Sequence, residues 1–101
     1  MKDSDLDAVR KIVFSGLGEH KARIFLFGSR ANGKAGRASD IDVGVLPVDE
    51  LPIGLLSEIR SSLEESNVPY EVDLVDLSHV DQEFRRHVME EGILWRDSGN
   101  D

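Results

Sequence analysis

Apolar residues along this chain follow two patterns: a helical spacing of three to four residues, and short apolar runs. The helical spacing occurs three times and predicts three amphipathic helices. Their apolar positions are Val9, Ile12, Val13 and Leu17, then Leu55, Leu56, Ile59 and Leu63, and finally Val80, Phe84 and Val88. The runs at 23–27, 40–46 and 71–75 are short and rich in β-branched and aromatic residues, which favours three buried strands.

These elements alternate in the order helix, strand, loop, strand, helix, strand, helix. That order predicts an α/β (α+β) fold, with a small mixed sheet and helices mainly on one face. Two serine-to-aspartate spacings, Ser4 to Asp7 and Ser78 to Asp81, predict capping boxes at helix starts. Residues 93–95 are predicted to form a short apolar tail before a polar end that frays.

Length, charge and composition narrow the class of protein. The 101 residues predict a single domain over 1–101, ordered over about 5–95. There is no cysteine, and the longest aliphatic-aromatic run is only Ile24 to Phe27, so we expect neither disulfides nor a membrane span. The N-terminus lacks the apolar stretch of a signal peptide, which predicts a cytoplasmic protein. The formal net charge of −8 argues against direct nucleic-acid binding.

The connection from Gly28 to Asp42 carries the first chemical signal. A predicted strand runs directly into Gly28-Ser29, where free backbone amides at the start of a helix would bind an anion. The glycine lets the backbone approach a phosphate. Ser29 adds a hydroxyl donor and Arg30 adds positive charge. This segment is therefore a predicted phosphate-binding site.

The acidic residues of the predicted strands carry the second signal. Asp40 and Asp42 are two residues apart, so on a strand both carboxylates project from one face. Such a pair suits Mg²⁺, which takes one or two carboxylates together with phosphate oxygens. On the third strand Asp73 is the candidate for a third acidic residue, with Asp76 as its competitor.

Two other phosphate or metal motifs match only in part. Gly28 to Lys34 fits the letters of a P-loop, but Ala35 stands where Ser or Thr should hold Mg²⁺. Asp40 to Gly44 resembles the start of a calcium loop, but the twelfth position is Leu51 rather than an acid. Both alternatives are rejected.

Together, Gly28-Ser29, Asp40-Ile41-Asp42 and Asp73 on a later strand resemble the polymerase-beta nucleotidyltransferase superfamily, in particular its minimal single-domain (MNT) branch. The resemblance covers about residues 5–95 in element order. It implies that Gly28, Ser29 and Arg30 bind the nucleotide, and that Asp40, Asp42 and Asp73 are catalytic and bind metal. Where members of the family often carry a second arginine in the loop, this chain has Asn32.

The resemblance also implies a reaction and a partner. The reaction is in-line attack on the α-phosphorus of a nucleoside triphosphate, expected to be ATP, with two Mg²⁺ ions. Members of this branch resemble antitoxins that are encoded beside a helical HEPN-type partner and transfer AMP to it. We therefore expect adenylyl transfer to a hydroxyl of such a partner.

Two alternatives remain open at this stage. The chain could be a non-catalytic antitoxin subunit that neutralises its partner by binding. It could also be the catalytic subunit for nucleotidylation of a small molecule, with a separate substrate-binding subunit. The sequence leaves homo-oligomerisation open as well.

Overall fold

The computed structural model describes residues 3–27 and 40–96. They form three helices, four strands and one 3-10 turn. The helices are α1 (Asp3–Leu17), α2 (Leu55–Glu65) and α3 (Gln82–Glu91), the strands are β1 (Ala22–Phe27), β2 (Ile41–Pro47), β3 (Val72–Asp76) and β4 (Ile93–Arg96), and the 3-10 turn is Leu77–His79.

The four strands form one mixed sheet in the order β3-β2-β1-β4. β1 pairs antiparallel with both β2 and β4, whereas β2 and β3 are parallel. Parallel neighbours need a crossover connection, and α2 lies in the segment that joins β2 to β3. This crossover brings the start of β3 beside the start of β2, which matters for the acidic residues described below.

The main core lies between one face of the sheet and the helices α1 and α2. Alternate residues of the strands point into it, as the predicted period of two requires. The fully or nearly fully buried members are Val9, Val13, Leu17, Ala22, Ile24, Leu26, Ile41, Val43, Val45, Ile59, Leu63 and Leu74.

The third helix, α3, covers part of the opposite face. Phe25, Phe27, Leu77 and Val88 form a second buried cluster there, with Phe84 packed against it. Two of the three described helices thus share one face. The predicted α/β (α+β) fold with helices mainly on one face is confirmed.

The C-terminal apolar residues differ from the expectation. Residues 93–95 belong to β4, which pairs with β1, instead of forming a tail. Gly92 permits this return, because a Cβ at that position would lie 2.6 Å from the carbonyl oxygen of Val88. Four residues are too few to show a strand period, so the sequence pattern missed β4.

Both predicted capping boxes are also wrong. Ser4 already lies inside α1, which begins at Asp3. The N-cap of α3 is Asp81, whose side chain accepts a 2.8 Å hydrogen bond from the backbone N–H of Phe84. Ser78 belongs to the 3-10 turn that precedes it. Within the described residues, no helix is long and apolar enough to cross a membrane.

Candidate active site

Asp42 is a completely buried carboxylate on the second face of the sheet. It is the second residue of β2, and its relative exposure is 0%. Its neighbours Ile41 and Val43 point into the main core, so alternation turns Asp42 the other way. Burying a charge costs free energy, and apolar residues would pack this position more favourably. Asp42 is therefore a candidate for a chemical rather than a packing role.

Asp73 lies directly beside Asp42. The two residues are register partners on the parallel strands β2 and β3, so both side chains project from the same face. Adjacent strands are ~4.8 Å apart. Asp73 itself is exposed on the edge strand. The pair therefore presents one buried and one accessible carboxylate side by side, an arrangement in which like charges repel and a divalent cation would attract both.

Asp40 precedes β2 and is fixed to the start of β3. Its backbone N–H donates to the carbonyl oxygen of Glu71 at 3.0 Å. In return, its Oδ2 accepts a 3.1 Å hydrogen bond from the backbone N–H of Glu71. The Ile41 N–H also donates to the Glu71 carbonyl oxygen, at 3.1 Å. The side chain of Asp40 is exposed but held by this backbone contact.

Asp76, the competing acidic residue, lies at the other end of β3. Its register partner is Val45, three positions beyond the Asp42–Asp73 pair. Its carboxylate accepts hydrogen bonds from the Ser78 N–H at 2.9 Å and the Ser78 hydroxyl at 2.6 Å. His79 lies 3.6 Å away from its second oxygen. Asp76 thus caps the 3-10 turn and is not part of the acidic group around Asp42.

The predicted nucleotide-binding residues Gly28, Ser29 and Arg30 lie outside the described residues. The last described residue before them is Phe27, which is the register partner of Asp42. β1 therefore ends beside the buried carboxylate, and these three residues follow it directly in the chain.

The carboxylates fit a cation that is shared with a substrate. Over 3–27 and 40–96, no three His, Cys, Asp or Glu side chains are grouped closely enough to hold a metal ion. Mg²⁺, however, is commonly bound by one or two carboxylates, with substrate phosphates and water completing its six ligands. Asp42 together with Asp40 or Asp73 would supply that number, and the open side of Asp73 leaves access for a phosphate.

A groove among the described residues lies elsewhere. It has a volume of about 470 Å³, and its lining includes Pro47 to Gly54 together with Asp76, Ser78 and His79. These residues lie at the C-terminal ends of β2 and β3, whereas Asp42 and Asp73 lie at the N-terminal ends. The groove is therefore separate from the acidic residues.

Two residues near the site were not singled out by the sequence pattern. Glu71 acts through its backbone, and backbone contacts leave no residue-type signal. Phe84 was predicted only as part of a helical stripe, but its ring packs edge-on against Phe27, with 5.7 Å between ring centroids. It thus supports the strand end next to Asp42.

Comparison with known protein families shows which family this chain belongs to. The sequence model of the family described as "Polymerase beta, Nucleotidyltransferase" matches residues 18–98, which include the whole sheet and all three candidate aspartates. The chain belongs to this family. This nucleotidyltransferase has the mixed sheet that the family resemblance implies.

Individual relatives of the nucleotidyltransferase have more specific descriptions. A protein from Haemophilus influenzae named "Probable protein adenylyltransferase MntA" is 32% identical over 62 residues. That match covers 61% of this chain and spans about half, 54%, of the relative.

Solved structures agree over a longer stretch. A toxin–antitoxin complex with AMP-PNP contains a chain with a TM-score of 0.70 and 28% identity, covering 96% of this chain and 74% of that one. A Shewanella oneidensis complex of a tri-AMPylated HEPN toxin with its MNT antitoxin gives a TM-score of 0.70 and 26% identity, covering 96% and 73%.

Proposed function

We propose that this nucleotidyltransferase transfers AMP from ATP to a hydroxyl group of a helical HEPN-type partner protein, with Mg²⁺ as the cofactor. The observation that carries the proposal is the side-by-side placement of Asp42 and Asp73. Asp42 is completely buried and Asp73 is exposed, and Asp42 is also the register partner of Phe27 at the end of β1.

The aspartates divide the work in the proposed reaction. Asp42, with Asp40, would hold Mg²⁺ against the triphosphate, and Gly28, Ser29 and Arg30 would hold the phosphates. Mg²⁺ held there would neutralise phosphate charge and activate the acceptor hydroxyl. Asp73 is the exposed member and would accept the proton of the attacking hydroxyl.

The bond changes follow from in-line displacement. The acceptor oxygen forms a bond to the α-phosphorus, and the bond from that phosphorus to the oxygen bridging to the β-phosphorus breaks. Pyrophosphate leaves with that oxygen, and the hydroxyl proton moves to the Asp73 carboxylate. The protein chiefly positions the reactants and balances charge, which is how phosphoryl-transfer enzymes gain most of their rate.

The choice of acceptor is supported by the relatives. One is named a protein adenylyltransferase, and another forms a complex with a HEPN toxin that carries three AMP groups. The AMP-PNP complex supports an adenine nucleotide as the donor. The matched stretch spans only part of each of these chains.

The test is transfer of label from α-³²P-ATP to a purified HEPN-type partner protein, with Mg²⁺ and with EDTA. We expect Mg²⁺-dependent label on the partner, lost in Asp42→Ala. Asp49→Ala is the matched control, because Asp49 is exposed and lies beyond the opposite end of β2; it should label at the wild-type rate.

Other outcomes select between the remaining functions. If the partner stays unlabelled but its toxicity is neutralised equally by the wild type and by Asp42→Ala, the chain is a binding antitoxin. If label appears instead on a small hydroxylated substrate, the acceptor assignment is wrong. Label that persists undiminished in Asp42→Ala would contradict the assignment of the site.

A further inference from the structure

We infer that the backbone N–H of Glu71 is a positioning group for the cation site, acting through Asp40. The inference rests on the proposed role of Asp40 as a cation ligand and adds a residue that no motif identifies. The Glu71 side chain is exposed, and the contacts with Asp40 are made by the Glu71 backbone.

The geometry is a reciprocal pair of hydrogen bonds between two strand starts. The Asp40 N–H donates to the Glu71 carbonyl oxygen at 3.0 Å, and the Glu71 N–H donates to Asp40 Oδ2 at 3.1 Å. Asp40 and Glu71 each stand two residues before the register partners Asp42 and Asp73. The contact therefore lies at the start of the same pair of strands, two residues before the Asp42–Asp73 pair.

This contact sets the direction of the Asp40 carboxylate. A hydrogen bond from an N–H to a charged oxygen is among the stronger ones, and it narrows the set of rotamers open to the exposed Asp40 side chain. A carboxylate accepts at about four lone-pair positions, so one bond from Glu71 is compatible with cation binding. The bond fixes where the remaining positions point.

The expected loss of metal affinity is taken from groups that hydrogen-bond to a metal ligand without contacting the metal. Carboxylate ligands are held by hydrogen bonds, and losing such a partner typically weakens metal binding by about 10- to 100-fold. A structural contact alone would change stability without changing metal affinity in the folded protein.

The experiment compares Glu71→Pro with Glu71→Ala in the full chain. Proline removes the N–H but keeps the carbonyl acceptor, and it is tolerated at the start of an edge strand. Alanine keeps the N–H. Mn²⁺ is titrated calorimetrically in the presence of AMP-PNP. We expect the proline variant to bind Mn²⁺ about 10- to 100-fold more weakly, and the alanine variant to bind within about two-fold of wild type.

Hydrogen exchange at the β2 and β3 amides shows whether the proline variant keeps the strand pairing. Equal Mn²⁺ affinity in a folded proline variant overturns the inference. If that variant does not fold, the Glu71 amide resonance of the wild type decides. The chemical shift of this amide should change when Mg²⁺ and AMP-PNP are added in the absence of Mn²⁺. An unchanged chemical shift overturns the inference. A wild type that binds neither ion with AMP-PNP would instead refute the proposed function.

Discussion

Replacing Asp42 by asparagine is expected to stabilise the metal-free protein while abolishing nucleotidyl transfer. Asparagine has nearly the same shape as aspartate and removes one charge from a completely buried position. In the absence of a cation, that charge faces its register partner Asp73. The substitution therefore separates the binding role of Asp42 from its effect on folding.

The magnitude follows from Coulomb's law and the strand spacing. Two unit charges ~5 Å apart repel by about 3 kcal/mol at an effective dielectric constant of about 20. Because Asp73 is exposed, solvent screening reduces the repulsion that Asp42→Asn can relieve to about 1–2 kcal/mol. For a domain of this size, that corresponds to a rise in Tm of roughly 5–10 °C.

The assay is thermal unfolding followed by circular dichroism, first in EDTA and then with Mg²⁺ and AMP-PNP. The Asp42→Asn variant should have the higher Tm in EDTA. Ligand at ten times its Kd stabilises the wild type by about 1.4 kcal/mol. Adding Mg²⁺ and AMP-PNP should therefore reduce or reverse the difference in Tm between Asp42→Asn and the wild type. Asp49→Asn, which removes an exposed charge far from the pair, should match the wild type in both conditions. A lower Tm for Asp42→Asn in EDTA would refute the reasoning.

Three further substitutions test the site and the fold. Asp73→Asn should lower the transfer rate by about 10²- to 10⁴-fold, as expected for loss of a general base, with unchanged nucleotide affinity in equilibrium binding; a near-wild-type rate would remove Asp73 from the mechanism. Gly92→Ala should destabilise the fold by about 1–3 kcal/mol in urea unfolding, because its Cβ would lie 2.6 Å from the Val88 carbonyl oxygen, and wild-type stability would contradict that clash. Asp81→Ala should cost about 1 kcal/mol by removing the cap on the Phe84 N–H, whereas Asp81→Asn should cost little.

The sequence pattern predicted most of the elements, and their bounds shifted by only about one residue. The runs at 23–27, 40–46 and 71–75 became β1, β2 and β3 with such small offsets. These elements carry strong local signals, since each buries several apolar residues at a regular period. The pattern also placed Asp42 and Asp73 on the face away from the main core.

The errors occurred where the local signal was weak or absent. The four residues of β4 are too short to show alternation, and they form a strand because β1 offers an unpaired edge. The two serine-to-aspartate spacings matched the capping-box pattern, but the caps depend on where each helix begins in three dimensions. Asp81, one residue before α3, caps it instead of Ser78.

The sequence by itself determined the strand and helix periods, the family resemblance and the identity of the acidic residues. Only the tertiary structure decided that β2 and β3 are parallel and in the register that sets Asp42 beside Asp73, and that Glu71 holds Asp40. Period and residue type are local properties, whereas register depends on pairing between segments about 30 residues apart in the chain. A slip of two residues would keep both carboxylates on the same face but would separate them along the strands, and no local pattern excludes it.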